Sequence, residues 1–208
     1  MSLFITFEGG EGSGKSVQAK ELFRRLSKLD VPALLTHEPG GTPLGEQIAA
    51  WLKKSHNIEI SALTELMLFN ASRAQLVTEV IQPNLKSGKV VICDRYDDST
   101  TVYQGYGRGL DMAMVKATNN TATQGLKPDL TILLDMPVEE GLGRKKGSKD
   151  RFEQEALAFH RKVREGYLKL ASEEPERWLV VDGAQSKEKI ADIIWQRVSQ
   201  LISKREGG

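Results

Sequence analysis

Short, nearly continuous apolar runs punctuate the chain at residues 3–7, 33–36, 89–93, 130–135 and 178–181. Each is rich in strand-forming residues and lacks the strict apolar–polar alternation of a half-wet strand. The five are therefore expected to be strands buried on both faces. Between them, apolar positions recur at helical spacing near residues 14–29, 44–53, 62–85, 112–124, 138–145, 152–171 and 187–204. Such alternation implies a parallel, doubly wound α/β sheet with right-handed crossovers. Ligands of these sheets bind outside the carboxyl ends of the strands, so the strand exits matter first.

The first exit carries the most specific signal. After Glu8 the chain reads Gly9-Gly10-Glu11-Gly12-Ser13-Gly14-Lys15-Ser16, a complete GxxxxGK(S/T) phosphate-binding loop between an expected strand and an expected helix. Glycines let backbone N–H groups approach a polyphosphate at the positive end of the helix. Lys15 can reach the β- and γ-phosphates, and the Ser16 hydroxyl can ligate Mg²⁺. The second exit is His37-Glu38-Pro39-Gly40-Gly41-Thr42 and the third is Asp94-Arg95-Tyr96. A strand-end Asp94 is the natural acidic partner of Mg²⁺, directly or through water, and Arg95 offers a planar fork for a phosphate on a second substrate. Without a nucleotide, the same pair reads as a local ion pair or helix cap.

Length and composition narrow the class. The 208 residues show no composition shift or internal repeat, so a single domain over residues 1–208 is expected. Lys plus Arg total 29 against 28 for Asp plus Glu, which leaves no excess positive field for nucleic acid. Cys93 is the only cysteine and lies inside an apolar run, so it reads as a core residue. No signal-like leader is visible, and no run approaches the ~20 apolar residues of a membrane span. A cytoplasmic protein with no membrane partner is the expectation. Residues 204–208 read as a frayed tail.

Other segments leave two readings open. Residues 96–109 mix hydroxyls and amides with three glycines, a composition unlike a core helix: either a wall that hydrogen-bonds base and sugar, or a polar surface loop. Phe69 and Arg73 are four apart and share a helix face. They read as a core aromatic beside a solvated Arg, or as a ring and guanidinium placed for a flat base. Arg144, Lys145, Lys146, Lys149 and Arg151 form a basic, Gly-broken stretch, either a solvated charge run or a lid closing over a transferring phosphoryl group. His56 and His160 fall outside every motif and are expected on exposed faces. Asp135, at a strand end, is expected to support core or lid.

Collectively the chain resembles bacterial thymidylate kinases over nearly its whole length. The likeness rests on Phe7-Glu8-Gly9 with the loop, residues 38–42, Phe69 to Arg73 with Ala74-Gln75, and Asp94-Arg95-Tyr96. It continues through Tyr103-Gln104-Gly105-Tyr106-Gly107-Arg108-Gly109, Pro128-Asp129-Leu130, Leu134-Asp135, Gly141-Leu142 and Asp150-Arg151-Phe152-Glu153. The resemblance implies a P-loop NTPase fold of the nucleoside monophosphate kinase type, with a five-stranded parallel sheet flanked by helices. It implies transfer of a phosphoryl group from ATP to dTMP with Mg²⁺ as cofactor, and a homodimer.

It also implies roles for residues. Phe69 would stack on thymine, Arg73 would read its edge, and Thr100 and Gln104 would lie along the base. Tyr103 would sit under the sugar, Arg95 would bind the acceptor phosphate, and Glu8, Glu38 and Pro39 would shape the same wall. Ala184 and Gln185 would touch adenine. Glu11 stands where part of the family carries a catalytic Arg in the loop, so the resemblance is to the branch that supplies it from a lid at about 143–152, with Arg144 and Arg151 as candidates. Two acceptor-side positions depart from the family: His37 and Ala49 replace usual arginines, which throws more of the phosphate binding onto Arg95. Kinases for another nucleotide or nucleoside, and a slow nucleotide-dependent switch, are the alternatives.

Overall fold

The computed structural model describes residues 2–53, 59–144 and 150–206. Five parallel strands, β1 (Leu3–Glu8), β2 (Ala33–His37), β3 (Val90–Asp94), β4 (Leu130–Asp135) and β5 (Trp178–Asp182), form one sheet in the order β2-β3-β1-β4-β5. Every expected strand is present, extended by one residue at the carboxyl end of β1, β2 and β5 and shifted one residue later in β3. Burial on both faces holds for the three central strands. β2 and β5 are edge strands and keep partly exposed positions, because no neighbouring strand covers their outer sides.

The pleat divides the core. Leu3, Ile5 and Phe7 of β1 point to one face, where they pack with α1 (Lys15–Lys28) and a C-terminal helix. Phe4 points to the other face, beside Leu76, Val91, Cys93 and Tyr96. Cys93 is buried and free, as its sequence setting implied. The remaining helices are α2 (Pro43–Lys53), α3 (Ala62–Leu76), α4 (Gln82–Lys86), α5 (Asp97–Thr100), α6 (Met112–Thr123), α7 (Val138–Arg144), α8 (Leu157–Glu173) and α9 (Lys187–Glu206).

Four expectations need correction. The helix expected over 62–85 is broken by a π turn at Val77–Ile81, where the wider turn accommodates Pro83, which has no N–H to continue the ladder. The helix expected from 152 starts at Leu157: Asp150 Oδ1 accepts the Phe152 and Glu153 N–H groups at 2.9 Å each, which closes a separate turn first. Residues 97–107 are helical, α5 running into a π turn at Thr101–Gly107, and Thr100, Tyr103 and Gln104 are buried. Each finds a hydrogen-bond partner inside the fold, in Arg73, Glu11 and Glu65 respectively, which composition could not show. The C-terminal helix runs to Glu206, with Arg205 paired to Asp129 at 2.5 Å, so the tail is ordered that far.

His160, expected on an exposed face, is instead buried on α8 against Phe159, and burial pushes its pKa below the usual imidazole value. His56, Lys145, Lys146, Lys149 and the last two residues lie outside the described residues. Among the described residues no helix is long and apolar enough to cross a membrane.

Candidate active site

The phosphate loop folds as the β1-to-α1 connection, and two glycines explain its shape. Gly9 adopts φ 141°, and a Cβ there would come within 2.5 Å of the Leu134 carbonyl; Gly12 adopts φ 70°, and a Cβ would lie 1.9 Å from the Gly141 carbonyl. The loop is thus laid directly on β4 and on α7, the helix that ends in Arg144. Lys15 curls back into it, with Nζ donating to the Gly9 carbonyl at 3.0 Å, the Gly10 carbonyl at 2.7 Å and Ser13 Oγ at 3.3 Å. Burial, and then the charge of Arg95, lower its pKa to about 8, against the opposing pull of Glu11, Asp94 and Glu8. The Ser16 hydroxyl donates to Asp94 Oδ2, so the two oxygens named for Mg²⁺ are in contact.

A cavity of about 470 Å³ runs from this loop across the ends of β1, β3 and β2, a size suited to a nucleotide. Glu38 and Pro39 form one wall, and Phe69 and Phe152 another, their rings 5.7 Å apart. Thr100, Tyr103 and Gln104 line the floor.

Arg95 stands where loop and cavity meet, and holds a left-handed backbone at φ 73°, uncommon for a non-glycine residue. Its Nη2 lies 2.6 Å from Glu11 Oε1, while Nη1 donates to Ser99 Oγ at 3.2 Å and the guanidinium covers the Tyr103 ring at 5.1 Å. Tyr103 also donates to Glu11 Oε1 at 2.7 Å.

Beneath Arg95, fully buried Glu8 accepts from the Tyr96 N–H at 2.8 Å, Ser99 Oγ at 2.6 Å and Tyr167 Oη at 2.7 Å. Burial, with the nearby charge of Asp98, raises its pKa to about 7. Glu8 supports the site from below and does not line the cavity.

Arg73 also lies behind the wall. Its Nε and Nη2 donate to Glu38 Oε2 at 2.9 and 2.6 Å, and Nη2 to Thr100 Oγ1 at 2.9 Å, so it joins two residues that do face the cavity. On the same wall, exposed His37 turns to Glu46 Oε1 at 3.0 Å, and Ala49 is buried between helices.

The two arginines expected to serve a lid, Arg144 and Arg151, end on opposite sides. Exposed Arg144 lines the cavity mouth and donates to the Gly183 carbonyl at 3.0 Å, next to Ala184 and Gln185. Ala184 is exposed and its N–H bonds Asp182; Gln185 Oε1 is buried without a donor among the described residues. Arg151 sits beside the Phe152 wall, with Nε donating to the Leu52 carbonyl at 3.1 Å, Nη2 2.5 Å from Glu65 and the charge 4.6 Å above the Phe152 ring. Asp135 is tied to Arg164 at 2.7 and 2.9 Å, a support for the strand end.

The structure thus places most of the sequence-named residues along one crevice, whereas Glu8, Arg73, Arg151, Ala184 and Gln185 do not line it. Missed were Tyr167, which no local pattern marks, and Glu65, which stands in phase with Phe69 and Arg73 at four-residue steps and was legible on that stripe. Sequence marks Glu11 only by the Arg it replaces, whereas its reach to Arg95 depends on the fold.

Comparison with known proteins identifies the family and the fold. The family described as thymidylate kinase matches residues 7–194. A thymidylate kinase of Dehalococcoides mccartyi is 54% identical over 203 residues, covering 97% of this chain and 98% of the relative. One from Geotalea uraniireducens is 50% identical over 193 residues, covering 89% and 91%. The solved thymidylate kinase of Ehrlichia chaffeensis superposes with a TM-score of 0.72 at 36% identity, covering 86% of this chain and 92% of that one. The chain belongs to the thymidylate kinase family.

Proposed function

We propose that the cavity is the acceptor site at which dTMP takes the γ-phosphoryl group of ATP directly, without a covalent enzyme intermediate, to give dTDP. The observation that carries this reading is the placement of Arg95, whose fork lies between the phosphate loop and an aromatic-walled cavity of nucleotide size. The loop and Lys15 hold the donor phosphates, and Arg95 exchanges Glu11 for the acceptor phosphate. Phe69 stacks on the base, Thr100 and Gln104 lie along its edge, and Tyr103 lies under the sugar. Arg73 fixes Glu38 and Thr100 from behind. A phosphate monoester is largely ionised near neutral pH, so no dedicated general base is needed. Catalysis is positioning and neutralisation of charge.

Ser16 and Asp94 supply one hydroxyl and one carboxylate oxygen, a hard donor set that fits Mg²⁺, which takes few protein ligands when phosphates provide others. When bound, Mg²⁺ neutralises charge on the donor phosphates. Arg144 is the lid cation that closes over the transfer, because it stands at the cavity mouth, whereas Arg151 is already paired with Glu65 on the acceptor side. A second copy of the chain covers exposed Leu44 and Trp51 of α2 and Leu63 and Met67 of α3, apolar side chains on two helices that pack side by side. The enzyme works in the cytoplasm.

ATP consumption measured with and without dTMP tests the reading. Consumption that depends on dTMP supports it. Hydrolysis at the same rate without an acceptor contradicts it and favours a nucleotide switch.

A further inference from the structure

Glu65 is wholly buried in the first turn of α3 and does not line the cavity. Its two oxygens collect four contacts: Gln104 Nε2 at 2.7 Å, Arg108 Nε and Nη2 at 3.1 and 3.2 Å, and Arg151 Nη2 at 2.5 Å. A carboxylate held between two guanidinium groups accepts hydrogen bonds and donates none. The side-chain amide of Gln104 therefore has one usable orientation, with its NH₂ on Glu65. That leaves Oε1 as the atom available to the cavity that Gln104 lines, and no donor among the described residues takes it. Without Glu65 the amide could flip, and either end could face the base.

We propose that Glu65 is the positioning residue that sets base specificity: it pins Gln104 with its carbonyl oxygen outward, selecting bases that present a ring N–H over those that present a bare ring nitrogen. The N3–H of thymine or uracil meets that oxygen, whereas N3 of cytosine faces it lone pair to lone pair. A misplaced acceptor of this kind is rejected because a buried polar group is left unpaired. The same carboxylate holds Arg151, so base reading and the exit of the lid share one anchor. Arg108 braces the arrangement from the far side, its Nη1 2.6 Å from Glu155 and its charge 4.8 Å above the Phe159 ring.

This inference rests on the proposed placement of the base along Gln104, and the test separates the two. kcat and KM are measured for dTMP and for 5-methyl-dCMP, which differ only along the base edge, in the wild type, Gln104→Ala, Glu65→Gln and the double variant. Glu65→Gln is expected to lower the dTMP to 5-methyl-dCMP ratio of kcat/KM by about tenfold or more, chiefly through the KM for dTMP. In the Gln104→Ala background the same substitution is expected to leave the ratio unchanged. An equal loss with both acceptors in Glu65→Gln means a structural role only and overturns the proposal. A ratio in the Gln104→Ala single variant equal to that of the wild type overturns the base placement and the proposal with it. If Glu65→Gln does not fold, Glu65→Asp, which keeps the charge for the arginines and withdraws the oxygen from Gln104, is read by the same ratio.

Discussion

Glu11 of the phosphate loop places a carboxylate oxygen 2.6 Å from Nη2 of Arg95, so the Arg95 fork is paired with an anion from the loop itself. On the proposed reading, the acceptor phosphate takes the place of this carboxylate on the Arg95 fork. Arg95→Ala removes a hydrogen-bonded cation from a mostly buried site. The expected loss is about 3 kcal/mol, or about two decades in kcat/KM for dTMP. Steady-state kinetics, with circular dichroism to verify the fold, check it, and near-normal efficiency would remove Arg95 from its role.

The lid arginines are expected to separate kinetically. Arg144→Ala should lower kcat by about a hundredfold or more with little change in ATP affinity, as befits a charge that acts in the transition state. Arg151→Ala should act mainly on the KM for dTMP, because its contacts are Glu65, Leu52 and Phe152 on the acceptor side. Kinetics of the two variants with ATP and dTMP varied independently decide between them.

Glu8 gives a stability signature. Its pKa is raised to about 7 from an ordinary value of 4.5, so between those values the folded chain binds more protons than the unfolded one. Its contribution is complete below pH 4.5 and is lost as pH rises through 7, on the order of 3 kcal/mol at most. Denaturant unfolding from pH 5 to 8 is expected to show this decline, and Glu8→Gln, which cannot titrate, is expected to flatten it.

Lys15 gives a binding signature. With its pKa lowered to about 8, the ammonium is partly deprotonated in the free enzyme at pH 8, and polyphosphate beside it favours the charged form. ATP binding at pH 8 is expected to take up protons, and at pH 6.5 to take up almost none from this group. Calorimetric titrations in buffers of different ionisation enthalpy measure the difference.

The order of strands and helices was legible because buried parallel strands read as unbroken apolar runs, and the phosphate loop because its glycines and lysine are local in sequence. Residues 97–107 were not, since a helix whose buried polar side chains are satisfied by distant partners, as Gln104 is by Glu65, looks like a loop in composition. Arg73 illustrates the same limit: its spacing from Phe69 placed both on one face, but that it lies behind Glu38 depends on a partner 35 residues away. Burial of His160 depends on α8 packing, which no motif announces.

Initial rates of ADP formation over a panel of dTMP, dUMP, dCMP, dGMP and UMP, at fixed ATP and Mg²⁺, test the assignment of the cavity most directly. The highest kcat/KM is expected with dTMP, and the rate without acceptor is expected near zero. No turnover of dTMP while another monophosphate is phosphorylated efficiently would contradict it.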